Sequence, residues 1–301
     1  MVAVTGAGGF VGAAVAADLE AAGHRVVRLA RRPIDGHPGT VLWDLRQGYL
    51  GDGTLPAVDA VVHCAASLAT FDVDHTMTEA NVAGSLRVAQ AWPGKPFVFM
   101  SSSSVYPASR VAAGGAPLRE DEATGEGLHD PYSRSKLEAE RALAEEAART
   151  GHALTILRPS IIYGPGDRHI LPNIRMLRLG RWVILPGGKK PWSMTPVGLL
   201  CEVARASVEN PVPGVRVLNV AEEPPERVRD LFRRLLEEDA GRRLRGIPIP
   251  AWPVRGYAAL VEATCRLLRL KREPVVTRSA VAYISEERVL DLSKLRVLVT
   301  P

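Results

Sequence analysis

The chain has 301 residues but only three cysteines, Cys64, Cys201 and Cys265, far apart and odd in number. They form neither a metal-ligand pair nor a disulfide framework, so a reducing, cytoplasmic setting is expected. His63, His129 and His169 stand at unrelated spacings without evident carboxylate partners, so no metal site is expected either. No apolar run reaches the roughly 18 residues that a membrane span needs. A strand pattern begins at Val2, so no secretion signal is expected. Blocks of like charge are also missing, which argues against a nucleic-acid arm. The clusters Arg242, Arg243, Arg245 and Arg266, Arg269, Lys271, Arg272 read as solvated helix faces. What remains is an ordinary globular composition, 46% hydrophobic and 24% charged, with a formal charge of +5 that suits anionic ligands.

Up to Pro159, short apolar runs alternate with helical patterns. Val2–Thr5, Arg25–Ala30, Thr40–Leu42, Ala60–Cys64, Phe97–Ser101 and Leu154–Leu157 read as strands. Helical patterns cover Val11–Ala22, Met77–Ala91 and Pro131–Thr150, the last with Asp130 as N-cap and Gly151 just past its end. Nearly continuous apolar strands alternating with helices imply an α/β fold, a Rossmann-type doubly wound parallel sheet covered on both faces. Ala108–Gly127 reads as a surface loop. Beyond Pro159 proline rises and the pattern weakens. Leu199–Val208 and Val228–Glu238 look helical, Val215–Val220 looks like a strand, and Ala251–Leu270 reads as an amphipathic helix interrupted near Pro253. The expected division is a dinucleotide-binding domain over 1–160 with return segments near 193–221. A smaller C-terminal substrate lobe would then be built from 161–192 and 222–301.

Thr5-Gly6-Ala7-Gly8-Gly9-Phe10-Val11-Gly12 follows the first strand and opens a helix. Gly6 allows a tight turn, Gly9 a close backbone approach to a pyrophosphate, and Gly12 close helix–strand packing. The phosphates would lie against the helix N-terminus, where free N–H groups and the dipole favour negative charge. The second strand ends Leu29-Ala30-Arg31-Arg32, with Ala30 where an acid would hold the ribose hydroxyls. An arginine can grip a 2′-phosphate through paired hydrogen bonds, so NADP is expected in preference to NAD. Asp44-Leu45, after the third strand, either meets the adenine edge or is a turn.

Tyr132-Ser133-Arg134-Ser135-Lys136 places a tyrosine and a lysine one helical turn apart on one face. The lysine cation can lower the phenol pKa and hold the nicotinamide ribose, turning a poor base into a usable one. The fifth strand ends in Ser101-Ser102-Ser103-Ser104-Val105-Tyr106, and one of these hydroxyls can hydrogen-bond a reacting oxygen.

Together with His63–Ala66, Asn81–Ser85 and Leu157–Asp167, these segments resemble the extended short-chain dehydrogenases/reductases in family order. The superfamily includes nucleotide-sugar epimerases, dehydratases and 3β-hydroxysteroid dehydrogenases. The resemblance implies that Tyr132 is the acid/base, that Ser102 orients the substrate oxygen, and that Lys136 tunes Tyr132 and binds ribose. It also implies that Asn81 supports the strand lining the cofactor. Gly6, Gly9, Phe10, Val11, Gly12, Ala65 and Ala66 would contact the cofactor, while Pro159 and neighbours such as Ile162 would border the nicotinamide. A homodimer through helices that include the Tyr–Lys helix is usual in the superfamily.

The C-terminal part departs from the sugar-modifying pattern. Trp192 stands where those enzymes carry a pyrophosphate-binding arginine, and Leu199 where an acid is common, although Lys189 or Lys190 could substitute. Pro274–Arg278 and Asp291–Leu295 are similar to the 3β-hydroxysteroid dehydrogenase branch, which acts on alcohols or ketones of apolar skeletons. Trp182, Trp192, Trp252 and Tyr257 either line an apolar pocket or pack the lobe. The helix from Trp252 is read as covering substrate or packing inward rather than resting on a membrane. The expectation is thus an NADP-dependent oxidoreductase acting on a small molecule. Its alternatives are a sugar epimerase or dehydratase with tightly held NAD, and a non-catalytic dinucleotide-sensing protein.

Overall fold

Every residue of the first strand, Val2–Thr5 (β1), is buried, as a central strand covered on both faces must be. Its side chains alternate accordingly. Val2 and Val4 join one core cluster with Val15, Leu19, Val62 and Leu200, whereas Ala3 joins a second with Leu29, Val61, Phe99 and Leu143. The computed structural model describes residues 1–51, 54–68, 76–107, 109–110, 115–128, 130–168, 170–186, 189–267, 281 and 287–299.

After β1 come helix α1 (Phe10–Ala21), β2 (Val26–Ala30), β3 (Val41–Asp44), β4 (Gly48–Tyr49) and β5 (Ala60–His63). Helix α2 starts at Thr76–Thr78, widens into a π-turn over Glu79–Ala83 and continues as Gly84–Ala91. Then follow β6 (Phe97–Met100), α3 (Pro131–Thr150) and β7 (Leu154–Pro159). The main sheet has eight strands in the order β13-β7-β6-β5-β1-β2-β3-β4, where β13 is Val215–Val220. All its pairings are parallel except β3 with β4. The chain winds outward from β1 in both directions, so the topological switch lies between β1 and β5, the expected ligand crevice of such sheets.

α3 matches its reading from sequence. The Asp130 carboxylate accepts from the Ser133 N–H, Pro131 opens the helix, and Gly151 closes it in the left-handed region at φ 74°.

The remaining elements form the smaller lobe and its returns to the sheet: β8 (Ile161–Tyr163), α4 (Ile170–Arg175), β9 (Arg178–Leu179), β10 (Trp182–Pro186), β11 (Pro191–Trp192) and β12 (Met194–Pro196). After them come α5 (Val197–Glu209), β13, β14 (Glu226–Arg227), α6 (Val228–Ala240), β15 (Arg245–Ile249), α7 (Ala251–Leu267) and α8 (Ser293–Val299). Three small sheets, β15-β10-β9, β11-β14 and β12-β8, surround a core of Ile161, Ile174, Val183, Trp192, Leu231 and Phe232.

Several expectations are corrected. Leu118 and Glu120, inside the supposed surface loop, are buried, because Leu118 exchanges backbone hydrogen bonds with Val289 and Asp291. A partner some 170 positions away leaves no local trace in composition. Arg242 and Arg243 occupy the turn after α6 and Arg245 opens a strand, so this cluster is not a helix face. Pro253 does not interrupt α7; it sits in the first turn, where no N–H bond is lost. Arg269, Lys271, Arg272, Pro274–Arg278, His129 and His169 lie outside the described residues.

Candidate active site

A cleft of about 1350 Å³ opens along the carboxyl ends of β1, β2, β3, β5, β6 and β7. Its floor is the glycine turn after β1. Gly6 has φ +68°, and a Cβ there would fall 2.8 Å from the Ala65 nitrogen; one on Gly12 would fall 2.3 Å from the Gly6 carbonyl. Only bare backbone lets β1, β5 and α1 approach this closely. The Thr5 hydroxyl accepts from the Ala65 N–H at 3.2 Å, tying the two strands across the switch point. α1 begins at Gly9 with no side-chain cap and no acid in its first turn, which leaves its leading N–H groups and dipole for an anion. This cradle fits a dinucleotide pyrophosphate.

Arg31, Arg32 and Asp44 line the cleft beyond the carboxyl ends of β2 and β3, together with Leu45. Asp44 accepts from the Arg46 N–H at 2.8 Å, so it makes the turn that composition allowed while also forming cleft wall. Ala65 and Ala66 follow β5, and Phe10, Val11, Pro159 and Ile162 complete the wall.

Tyr132 and Lys136 line the cleft as well. Lys136 is buried, donates from Nζ to the Met100 carbonyl at 2.6 Å, and lies 4.7 Å from the Phe99 ring centroid and 6.0 Å from that of Tyr132. Burial pushes its ammonium down to about 8, and attraction to Cys64 and Glu140 opposes the shift. Burial also raises the Cys64 thiol to about 12, so at neutral pH Glu140 is the charge that counts. His63 is pushed down to about 3 by burial and then by Lys136; its ring bonds Thr5 at 2.6 Å and Ser85 at 2.9 Å, a structural role.

Of the residues expected to carry catalysis or to contact the cofactor, only Ser102 lies outside the cleft lining. It caps the short 3₁₀ turn Ser103–Val105, its Oγ accepting from the Ser104 N–H at 3.1 Å. The adjacent Ser101 does line the cleft, but its hydroxyl donates inward to Glu140. Glu140 also forms a two-pronged pair with Arg158, at 3.0 and 2.6 Å, with both side chains only 5% exposed. Burial works against the Arg158 charge, but the bonds and attraction from Glu140 prevail and raise its pKa. Arg158 continues to the Glu120 carbonyl at 2.7 Å and Tyr106 at 3.3 Å, and Tyr106 donates to Asn219 at 2.6 Å. This buried network joins the serine turn, the Tyr–Lys helix and β7. It was not read from sequence; its visible signal was a glutamate four residues beyond Lys136 on the same helix face.

Asn81, in the π-turn of α2, accepts from the Ser67 N–H at 2.7 Å and donates to the Ser67 carbonyl at 3.0 Å and Ser135 at 2.9 Å. It thereby fastens the loop after β5 to the Tyr–Lys helix. Also missed from sequence were Arg168, which reaches across to the Gly8 carbonyl at 3.3 Å, and Arg288, buried behind the serine turn and bonded to the Ser103 carbonyl at 2.6 Å. Trp192 is fully buried and donates to the Ser160 hydroxyl at 2.7 Å; Trp252 and Tyr257 are exposed. Neither these three nor Trp182 lines the cleft, and Trp192 packs in the core of the smaller lobe. Among the described residues no cluster could hold a metal.

A model of the family described as the NAD dependent epimerase/dehydratase family matches residues 2–197. The chain belongs to that family. It is 28% identical over 296 residues to a 2-alkyl-3-oxoalkanoate reductase of Stenotrophomonas maltophilia (strain K279a), covering 91% of this chain and 86% of the relative. It is 27% identical over 270 residues to the N-acetyl-alpha-D-glucosaminyl-diphospho-ditrans,octacis-undecaprenol 4-epimerase of Escherichia coli O157:H7, covering 85% and 78%. A 3 beta-hydroxysteroid dehydrogenase/Delta 5-->4-isomerase of Mycobacterium tuberculosis (strain ATCC 25618 / H37Rv) shares 30% over 186 residues, 56% of this chain and 48% of that one. Among solved structures, MoeE5 in complex with UDP-glucuronic acid and NAD superimposes with a TM-score of 0.72 at 24% identity, covering 99% of this chain and 92% of that one. The extended short-chain dehydrogenase/reductase resemblance and the Rossmann-type fold are thus borne out. Members of this family are enzymes of nicotinamide-dinucleotide chemistry, and they include both oxidoreductases and epimerases. No helix among the described residues is long and apolar enough to cross a membrane.

Proposed function

We propose that this epimerase/dehydratase family member is an NADP-dependent oxidoreductase interconverting a secondary alcohol and a ketone on a fairly apolar small molecule. The observation that carries the reading is the presence of Tyr132 and buried Lys136 in the same cleft as the glycine cradle. A nicotinamide dinucleotide held in this cleft would supply or accept the hydride. Tyr132 donates or removes the proton of the substrate oxygen, and the Lys136 cation below it favours the phenolate. Lys136, held in place by its bond to the Met100 carbonyl, would also hold the ribose. Ser102 serves as the hydroxyl that orients the substrate oxygen, its Oγ rotating from the Ser104 N–H to do so. Ala30 with Arg31 and Arg32 supports NADP over NAD: no acid repels a 2′-phosphate, and among the described residues neither arginine has an ion-pair partner. Buried Trp192 in place of a phosphate-binding arginine argues against a nucleotide sugar.

The deciding experiment titrates NADPH and NADH by fluorescence and then follows NADPH consumption with a panel of ketones. Preferential NADPH binding and net oxidation support the reading. Protein that retains NAD through purification and isomerises a sugar nucleotide without net consumption would establish the epimerase reading instead. Cofactor binding with no turnover of either kind would leave a dinucleotide sensor.

A further inference from the structure

Nine of the chain's 38 basic residues, and none of its 33 acidic ones, fall in two stretches, 175–190 and 241–257. The rest of the chain is therefore net acidic. The two stretches fold together, supplying the sheet β15-β10-β9 and the start of α7.

The register of that sheet sorts its side chains. Leu179 lies opposite Trp182, and Trp182 opposite Arg245, so the three share one face; Ile247, two residues beyond Arg245, shares it too. Val183 points the other way and is completely buried in the lobe core. Yet the outer face is also apolar: Leu179 is 60% exposed, Trp182 44% and Ile247 39%. The Arg245 guanidinium lies over the Trp182 ring at 5.5 Å. At the tip of the β9–β10 hairpin, Arg178 and Arg242 both donate to the Gly180 carbonyl, at 3.3 and 3.2 Å, beside exposed Arg181 and Arg243. The acid Asp239 is already taken by Arg175, at 3.1 and 2.5 Å. The result is a flat apolar face with a guanidinium rim.

The pairing of these two features selects the partner. A nucleic acid would engage the arginines but offer Leu179 and Ile247 nothing to bury in. An anionic bilayer engages both, with head-group phosphates for the arginines, the interfacial layer for tryptophan and the acyl boundary for the aliphatic side chains. We propose that the outer face of β15-β10-β9 is a peripheral docking site for an anionic lipid surface. None of its exposed residues lines the dinucleotide cleft, so the inference stands apart from the catalytic reading.

The test is co-sedimentation of the full chain with vesicles of three parts phosphatidylcholine to one part phosphatidylglycerol, and with phosphatidylcholine alone. Binding to the anionic vesicles at low salt, its release at high salt and little binding to neutral ones are expected. The double variant R181A/R242A should lower the partition coefficient about thirtyfold, at about a fivefold loss for each surface arginine. Trp182→Glu should lower it at least tenfold. Both variants alter exposed side chains and should keep the native circular dichroism and cofactor titration. Absence of binding to anionic vesicles overturns the proposal, as does binding that neither variant weakens. Tight binding of an RNA oligomer, or a dimer abolished by Trp182→Glu, overturns it as well if vesicles are not bound.

Discussion

The two ends of the molecule treat arginine in opposite ways. Beside the cleft, Arg158 is sealed in and bonded to Glu140, Glu120 and Tyr106, so its charge is answered on every side. In the smaller lobe, Arg181 and Arg243 stand in water and Arg245 rests on an exposed tryptophan. Buried charge demands a closed set of partners and holds neighbouring elements in one arrangement. Exposed charge contributes little to the fold and is free to meet something outside it. The first region is organised for internal geometry and the second for contact.

Substitutions can break that contrast, the largest effect first. Glu140→Ala leaves Arg158 buried and unpaired and should cost about 3–5 kcal/mol of unfolding free energy, read by urea denaturation. Tyr132→Phe should lower turnover at least about a hundredfold while leaving NADPH affinity unchanged; unaltered turnover would remove the tyrosine from the mechanism.

Lys136 gives opposite signs for activity and stability. Its cation is lost as pH rises through about 8 in the folded chain, so turnover should fall by roughly tenfold for each further pH unit. From about 8 up to the ordinary lysine value of 10.5 the unfolded chain binds the extra proton, so this group's contribution to stability rises over the same window. A pH–rate profile beside pH-dependent denaturation separates the two; parallel falls would show that the alkaline loss is unfolding. Arg31→Ala and Arg32→Ala should each weaken NADPH binding about tenfold and leave NADH untouched. Smallest of all, Trp182→Ala should change stability by less than about 0.5 kcal/mol, the mark of an exposed side chain.

How much was legible in the sequence follows the same divide. The glycine turn, the Tyr–Lys helix with its caps and the central strands all rest on neighbours within a few residues, and each stood at or near its expected position. Ser101 and Ser102 show the limit: a run of four serines does not say which hydroxyl turns inward to Glu140. The buried position of Leu118, the Arg288 bond to the serine turn and the hairpin of β9 and β10 rest on distant or weakly patterned partners. Two-residue strands carry no periodicity, and a proline-rich stretch reads as loop until something pairs with it.

The parallel ladder of β8 with β12 aligns Ile161 with Met194, Ile162 with Thr195 and Tyr163 with Pro196. β8 is where the chain first leaves the main sheet, and β12 is where it comes back. The outgoing and returning strands are thus zipped side by side, with the Thr195 hydroxyl accepting from the Ser160 N–H at 2.9 Å and donating to the Val220 carbonyl at 2.7 Å. Transplanting the lobe between relatives therefore requires both seams to be cut together, because a graft that keeps one strand and replaces the other must rebuild the ladder. For an engineer exchanging the lobe, this two-stranded neck is one boundary, and the chain's second departure from the main sheet, after β13, is the other.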